Sequence, residues 1–345
     1  MIAVEKHGII LSPSHHNFES LAVLNPGIFQ DGDTVHLFYR AVESGNYSTI
    51  GYAKTEGPVK IIDREERPLI IRDFEYEKHG VEDPRIVKIE GLYYMTYTAY
   101  NGVNAMGALA VSKDLRHFEK KGIITPSVNY KQYKHFVQSC EKSKLNPKYH
   151  HYYNLFDKIG LIEDEERLLR DKDVVLFPRK INGKFAMLHR IWPGIQIVYF
   201  EHWDELTPAF WEDYLMHLDQ HIVLDPKHYF EANYIGAGCP PIETDCGWLL
   251  IYHGVEETPT GKIYHASAAL FHIDKPELEI SRLSTPLFSP TKEWEKVGIV
   301  DHVVFPTGTA LFGKELYIYY GAADKHVAVV SLNIDELLHE LKQQP

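Results

Sequence analysis

The chain has 345 residues, of which 44% are apolar, 24% charged and 12% aromatic, and 48 acidic against 36 basic side chains give a formal net charge of −12. This is a soluble globular composition, and the acidic balance without a long Lys/Arg run argues against a nucleic-acid partner. Glu5 and Lys6 interrupt the apolar stretch that a signal peptide needs and no apolar run reaches membrane-spanning length, so the expected location is cytoplasmic, with no membrane partner.

Length alone leaves one or two domains open, and an internal repeat decides between them. Five times the chain writes a Pro in an apolar setting, a turn, and an alternating aromatic strand. In order these are Asn25-Pro26-Gly27 before VHLFYRA, Asp83-Pro84-Arg85 before LYYMTYTAY, Phe177-Pro178-Arg179 before KFAMLHR, Pro240-Pro241-Ile242 before WLLIYHG, and Phe305-Pro306-Thr307 before LYIYYGAA. A small-residue strand follows each: IGYAKT, GALAVSKD, IQIVYFEH, YHASAALFHID and HVAVVSLNID. The markers Pro26, Pro84, Pro178, Pro241 and Pro306 are 58, 94, 63 and 65 residues apart, so one unit carries an insertion.

Short antiparallel strands repeated in this way are the mark of a β-propeller. The expected fold is all-β, a five-bladed β-propeller in a single domain over residues 1–345. A helical insert is expected at 126–169, between the second and third blades, where Leu161, Ile162, Leu168 and Leu169 have helical spacing. A C-terminal helix is expected at 334–343, opened by Asn333. A β-sandwich would explain the alternation but not the same order of Pro, turn and aromatic strand five times.

In a propeller the equivalent turns converge on one central channel, so the polar residues at repeated positions are the candidates for chemistry. They are Asn25, Arg40, Asp83, Arg85, Arg170, Asp171, Lys172, Asp173, His189, Arg190, Tyr234, His253, Tyr264 and Asp324. Carboxylates with Arg, His and Tyr suit a sugar: acids to protonate a glycosidic oxygen, donors for hydroxyls, cations for an anion. The same set suits a carbohydrate-binding module without catalysis. Each residue also has a plain structural role available. Asp83 before Pro84 can simply initiate a turn, Arg40 and Arg170 can be ordinary ion pairs, and His253 can be a satisfied interior residue. Cys140, Cys239 and Cys246 read as reduced. His15-His16 and His150-His151 lack a metal-site spacing, and no glycine-rich phosphate loop is present, so no metal or cofactor is expected.

The ordered segments NPGIF, FYRAVE, GVEDPRIV, RDKDVVLFPRKINGKFAMLHR, IGAGCPPIETDCGWLLIYHGV, YHASAALF, VVFPTG and YYGAAD resemble glycoside hydrolase family 130, the mannoside phosphorylases and β-mannosidases built on a five-bladed propeller. The likeness runs from about residue 20 to 330, outside the insert. It implies that Asp83, the Asp of E-D-P-R, is the proton donor, acting through a hydroxyl of the bound mannose. It implies that Asn25 and Asp324 bind the sugar, and that Arg40, Arg170, His253 and Tyr264 match the positions that hold inorganic phosphate. Such an anion needs fixed donors and positive charge.

Two positions depart from the phosphorylase pattern. R-N-K-D becomes Arg170-Asp171-Lys172-Asp173, and K-I-G-A-G begins here with Tyr234, so an acid is gained and a cation lost. Both changes would repel a phosphate dianion. An inverting hydrolase needs a carboxylate that activates water on the face opposite the acid. The leading expectation is therefore hydrolysis of β-mannosidic linkages of manno-oligosaccharides, with Asp83 as acid, Asp171 as base, Tyr234 on the substrate, and Glu231 and Glu256 as reserve bases. Phosphorolysis by inorganic phosphate as co-substrate, giving mannose 1-phosphate, is the alternative. A mannoside-binding propeller without turnover stands behind both, and a homo-oligomer is left open.

Overall fold

The computed structural model describes residues 2–140, 145–162 and 164–344. Parts of the expected insert, residues 141–144 and Glu163, lie outside the described residues. The fold is mostly β, arranged in antiparallel sheets. Strand β1 is Glu5–Leu11. The first sheet then contains β2 (Ala22–Asp31), β3 (Thr34–Glu43), β4 (Tyr47–Glu56) and β5 (Lys60–Arg64). The second contains β6 (Gly80–Ile89), β7 (Leu92–Tyr100), β8 (Ala105–Ser112) and β9 (Phe118–Ile123), and one parallel bridge, Ser48 to Gly80, links it to the first. Helices α1 (Tyr130–Ser139) and α2 (Pro147–Lys158) lead into the third sheet, β10 (Lys172–Leu176), β11 (Phe185–Arg190) and β12 (Ile195–Phe200), which is completed after α3 (Pro208–Met216) by β13 (Ile222–Leu224). The fourth holds β14 (Tyr234–Ala237), β15 (Ile242–Thr244), β16 (Gly247–Thr258), β17 (Gly261–Phe271) and β18 (Glu279–Arg282). After the short α4 (Glu293–Lys296), the fifth holds β19 (Val304–Phe312), β20 (Glu315–Ala322) and β21 (His326–Asn333). Its outer strand is β1, brought from the other end of the chain, and α5 (Ile334–Gln343) follows.

The C-terminal helix stands where the Asn333 cap predicts it, with Leu337 and Leu341 fully buried. The insert is helical at α1 and α2, but Leu161, Ile162, Leu168 and Leu169, the residues with the helical spacing, lie outside both helices. There Ile162 and Leu169 are buried against the α1–α2 core and Leu168 bridges to Asn129, so packing rather than periodicity sets that stretch. Helix α3 was not expected. Its signal is Thr207-Pro208, a cap followed by Pro at the first helical position. Among the described residues no helix is long and apolar enough to cross a membrane.

Contacts between the leading strands run from one sheet to the next: β2 with β6, β6 with β10, β10 with β14, the fourth sheet with β19, and β19 with β2. Gly27 permits one of these approaches, since a Cβ there would lie 2.8 Å from the Pro84 carbonyl oxygen. Three leading strands carry the same bulge. Asn25-Pro26 lies opposite Tyr39, Asp83-Pro84 opposite Tyr97, and Asp173-Val174 opposite His189, with Asn25, Asp83 and Asp173 all at positive φ (46°, 48° and 55°). Pro is tolerated at such a bulge because no ladder donor is required there. The third copy has Val instead of Pro, and Pro178 lies past the end of β10, so the Pro spacing places the third unit several residues late.

A second repeat is carried by buried glutamates. Glu19, Glu77, Glu231 and Glu295 are each fully buried, each in a short helix just ahead of a leading strand, and each preceded by an aromatic residue. Each accepts a hydrogen bond from a tyrosine on the second strand of its sheet: Tyr39 at 2.7 Å, Tyr97 at 3.2 Å, Tyr252 at 2.5 Å and Tyr320 at 2.7 Å. Each also meets a cation, respectively Arg64, Lys120, Arg282 and Lys6. A buried carboxylate is tolerated only when paired and bonded in this way. Glu77→Ala should therefore cost about 3–5 kcal/mol by leaving Lys120 without its buried partner, measured by urea unfolding.

Candidate active site

The leading strands bring their bulges to one central cavity of about 170 Å³. Its wall carries Asn25, Arg40, Asp83, Tyr234, Tyr264 and Asp324, all expected from sequence, together with Lys172, Asp173, Arg190 and the apolar Val300, Val303 and Phe305. A larger groove of about 740 Å³ opens elsewhere, floored by Leu92, Tyr94 and Leu109. Its charged residues lie on its rim, whereas the central cavity concentrates buried ones, so the smaller cavity is the candidate for chemistry.

Asp83 is 7% exposed and accepts a hydrogen bond from the Asn25 amide at 2.8 Å. Arg40 lies 3.6 Å from the same carboxylate oxygen, and Arg40 also donates to Glu82 and Ser48, both at 2.8 Å. Burial works to raise the proton affinity of Asp83, but Arg40, Lys172, Arg85 and the Asn25 amide outweigh it and hold the carboxyl below its ordinary range. Asp324, across the cavity at φ 51°, goes the other way. Burial first, with Asp83 and Glu82 adding repulsion against the pull of Arg40 and Lys172, pushes it up to about 6.

Beneath the wall, Arg85 is 2% exposed. It donates to the Asp83 carbonyl at 2.6 Å and to the Gly238 carbonyl at 2.8 Å, and its guanidinium lies 3.7 Å from Asp173. Arg190 makes a 2.6 Å ionic contact with Asp173 that is off the hydrogen-bonding line. His253 sits behind this carboxylate, 3.7 Å away and fully buried. Burial, with Arg190 and Arg85 opposing the pull of Asp173, lowers its pKa to about 3, so the ring is neutral at physiological pH. Gly236 is required here, since a Cβ would come within 2.5 Å of the His253 ring.

Three expected site residues and both reserve bases are elsewhere or do something else. Asp171 is fully buried and away from the cavity, its carboxylate 2.7 Å from His189 Nδ1 and accepting the Arg190 backbone N–H at 3.3 Å. The far nitrogen of His189 meets the Tyr214 hydroxyl of α3 at 2.7 Å, so this pair anchors the helical layer. Arg170 is exposed on a second cavity of about 280 Å³ under the insert, with Tyr130, Phe156 and Trp192. His253 supports Asp173 and does not line the cavity. Among the reserve bases, Glu231 is committed to Tyr252 and Arg282, and Glu256 lies 3.2 Å from His265, off the cavity wall.

The cation missing at Tyr234 is offset by neighbours. The guanidinium of Arg190 lies 5.1 Å and the Lys262 ammonium 5.3 Å from its ring centroid, and Trp192 stacks on it at 4.6 Å. Asp173, Lys172 and Arg190 were among the candidate positions but were not selected. The signal that identifies Asp173 is the bulge it shares with Asn25 and Asp83.

The raised Asp324 makes the native state pH-sensitive. Its folded pKa of about 6 exceeds the ordinary carboxyl value of 3.8, so the folded protein prefers the protonated form and loses stability as pH rises from 4 through 6. Asp324→Asn, which mimics that form, should be more stable than the parent at pH 8 by about 1–3 kcal/mol, with the gap closing below pH 5. Urea unfolding at the two pH values reads this.

Comparison with known proteins agrees with this architecture. Residues 9–343 match the family model described as beta-1,4-mannooligosaccharide phosphorylase. The chain is 31% identical over 340 residues to a 1,2-beta-oligomannan phosphorylase of Thermoanaerobacter sp. (strain X514), covering 95% of this chain and 96% of the relative. It is 30% identical to a beta-1,2-mannobiose phosphorylase of the same organism, covering 95% and 96%. The solved beta-1,2-mannobiose phosphorylase of Listeria innocua, in complex with beta-1,2-mannobiose, superposes with a TM-score of 0.70 at 23% identity, covering 99% of both chains. The protein is an enzyme and belongs to glycoside hydrolase family 130.

Proposed function

We propose that the protein cleaves β-mannosidic bonds of manno-oligosaccharides by inverting phosphorolysis, releasing mannose 1-phosphate. The five sheets would be the blades of one propeller domain spanning the chain, a reading supported by the sheet-to-sheet contacts and by β1 pairing into the last sheet. The observation that carries phosphorolysis is the position of Asp171. The base expected for water as nucleophile was a carboxylate at this position, and that group is sealed against His189. Phosphate therefore meets Arg40, Lys172 and Arg190 in the cavity and no added acid from Asp171. The names of the relatives point the same way.

In this reaction a phosphate oxygen bonds to the anomeric carbon from the face opposite the leaving sugar as the glycosidic bond breaks. The departing oxygen takes a proton that originates at Asp83, by way of a hydroxyl of the bound mannose. Asp83 is ionised in the empty site, so its proton affinity has to rise before it can serve as the donor. Phosphate bound beside Lys172 cancels part of the positive field of Arg40, Lys172 and Arg85 that keeps Asp83 ionised, so the co-substrate itself loads the acid. Asn25 holds the carboxyl in place, and Asp324 accepts from sugar hydroxyls.

Two measurements test the reading. Incubation with β-1,2- and β-1,4-mannobiose should yield mannose 1-phosphate only when phosphate is present, and mannose release indifferent to phosphate would sink the proposal. Asp83→Asn should lower kcat at least about 10²-fold, as loss of general acid catalysis does. Asp171→Asn should instead keep kcat within about threefold while costing about 1–3 kcal/mol of stability, because it breaks a buried hydrogen bond and not a catalytic one.

A further inference from the structure

We propose that Arg85 is a positioning residue for the reaction: it locks the left-handed backbone of the proton donor Asp83 onto the third and fourth sheets, with Asp173 as its counter-ion. The proposal rests on Asp83 being the donor and adds the group through which the other sheets act on it.

Arg85 is buried behind the cavity wall, so it reaches the reacting atoms only through other groups. Its Nη1 donates at 2.6 Å to the main-chain carbonyl of Asp83, and its Nε donates at 2.8 Å to the carbonyl of Gly238, just past β14. That second acceptor has no room to shift, since a Cβ on Gly238 would lie 2.7 Å from the Ile251 carbonyl oxygen and 2.8 Å from that of Pro306. Nη2 lies 3.7 Å from Asp173 on β10, and the guanidinium lies 5.7 Å from the Phe305 ring on β19. On the remaining side, Gly27 of β2 packs on the backbone of Pro84 and Arg85. The two residues that follow the donor thus meet the leading strand, or its end, in each of the other four sheets.

Asp83 needs such a hold, because at φ 48° a residue with a side chain persists only where its surroundings over-determine it. The two sister bulges are tied by neutral hydroxyls: Thr307 donates to the Pro26 carbonyl at 2.8 Å and Thr96 to the Val174 carbonyl at 2.6 Å. A hydroxyl therefore suffices to hold the shape. At the donor's bulge the tie is a buried cation, with a desolvation cost that a threonine avoids. What the cation adds is a planar fork of fixed donors and a charge. The charge bears on the Asp83 carboxyl: burial works to raise its pKa, and Arg40, Lys172 and Arg85 outweigh burial and lower it. Arg40 comes from β3 and Lys172 from β10, while Asp324 beyond β20 and Glu82 on the donor's own strand supply the opposing charge. The fourth sheet presents His253, Tyr234 and Tyr264, all uncharged at neutral pH.

The test is kcat as a function of pH, at saturating phosphate, for whichever mannobiose the parent turns over fastest. The donor must carry its proton, so the alkaline limb of the profile reports Asp83, and loss of a nearby cation moves that limb to higher pH. Arg85→Gln should move it up by about half a pH unit or more. Arg85→Lys keeps the charge and loses the fork, so it should leave the limb in place and lower kcat about tenfold or more. KM for phosphate and for the mannoside should stay within about threefold in both variants. Asp173→Asn removes the counter-ion and should move the limb to lower pH. If Arg85→Gln fails to fold, judged by circular dichroism, Arg85→Lys and Asp173→Asn carry the test. A limb unmoved in Arg85→Gln, or in Asp173→Asn where the former is unfolded, overturns the positioning role and leaves Asp83 as donor, as does a rise in KM that accounts for the whole loss of activity. An Asp83→Asn enzyme that keeps both its kcat and its alkaline limb overturns the donor assignment and this proposal with it.

Discussion

Four buried glutamates set the frame on which the rest of the structure depends. A carboxylate removed from water is costly unless every lone pair finds a donor, and Glu19, Glu77, Glu231 and Glu295 meet that demand with a tyrosine and a cation each, and most with backbone N–H groups. The requirement is strict in geometry. It fixes where the chain enters each of these four leading strands relative to the second strand of the same sheet. The third sheet has no such glutamate among the described residues. Its second strand carries His189 where the first two sheets have Tyr39 and Tyr97, and that ring is held by Asp171 and by Tyr214 of α3. The helical layer thus takes over at the one sheet where the clamp is missing.

The cavity built on this frame is close to electrically balanced. Arg40, Arg85, Lys172 and Arg190 face Glu82, Asp83, Asp173 and Asp324, all within or just behind one wall. Balance explains why two carboxyls of the same kind diverge. Asp83 lies among Arg40, Lys172 and Arg85, which outweigh its burial and hold it down, whereas at Asp324 burial, helped by Asp83 and Glu82, outweighs Arg40 and Lys172 and raises it to about 6. Divergence of this kind marks sites that move protons.

Much of this was legible in the sequence, and the failures have a common cause. The strand pattern, the C-terminal helix and six of the nine selected site residues could be read because alternation, caps and the bulged N-P and D-P pairs are local features. The repeat was indexed on proline, however, and proline is only tolerated at the bulge, never required there. Val174 fills its place in the third sheet, so Asp173 went unselected while the next proline, Pro178, was taken as the marker. The aromatic-Glu pairs Phe18-Glu19, Tyr76-Glu77, Phe230-Glu231 and Trp294-Glu295 would have indexed four sheets directly, because a buried glutamate is a requirement. Helix α3 was obscured because its stability comes from packing on the third sheet rather than from a strong periodic face.

The misplacement of Asp171 shows how one bulge decides chemistry. In a regular strand, side chains alternate, so of Asp171, Lys172 and Asp173 either the middle one or the outer two would face the cavity. The bulge at Asp173-Val174 breaks that alternation, and Lys172 and Asp173 both line the wall while Asp171 turns back toward His189. The same device lets Glu82 approach Arg40 beside Asp83 in the second sheet. An acid gained at position 171 is therefore spent in the core, two residues from an acid that does reach the cavity. Motif spacing records which residues are near the cavity, and only the ladder register tells which of them are in it.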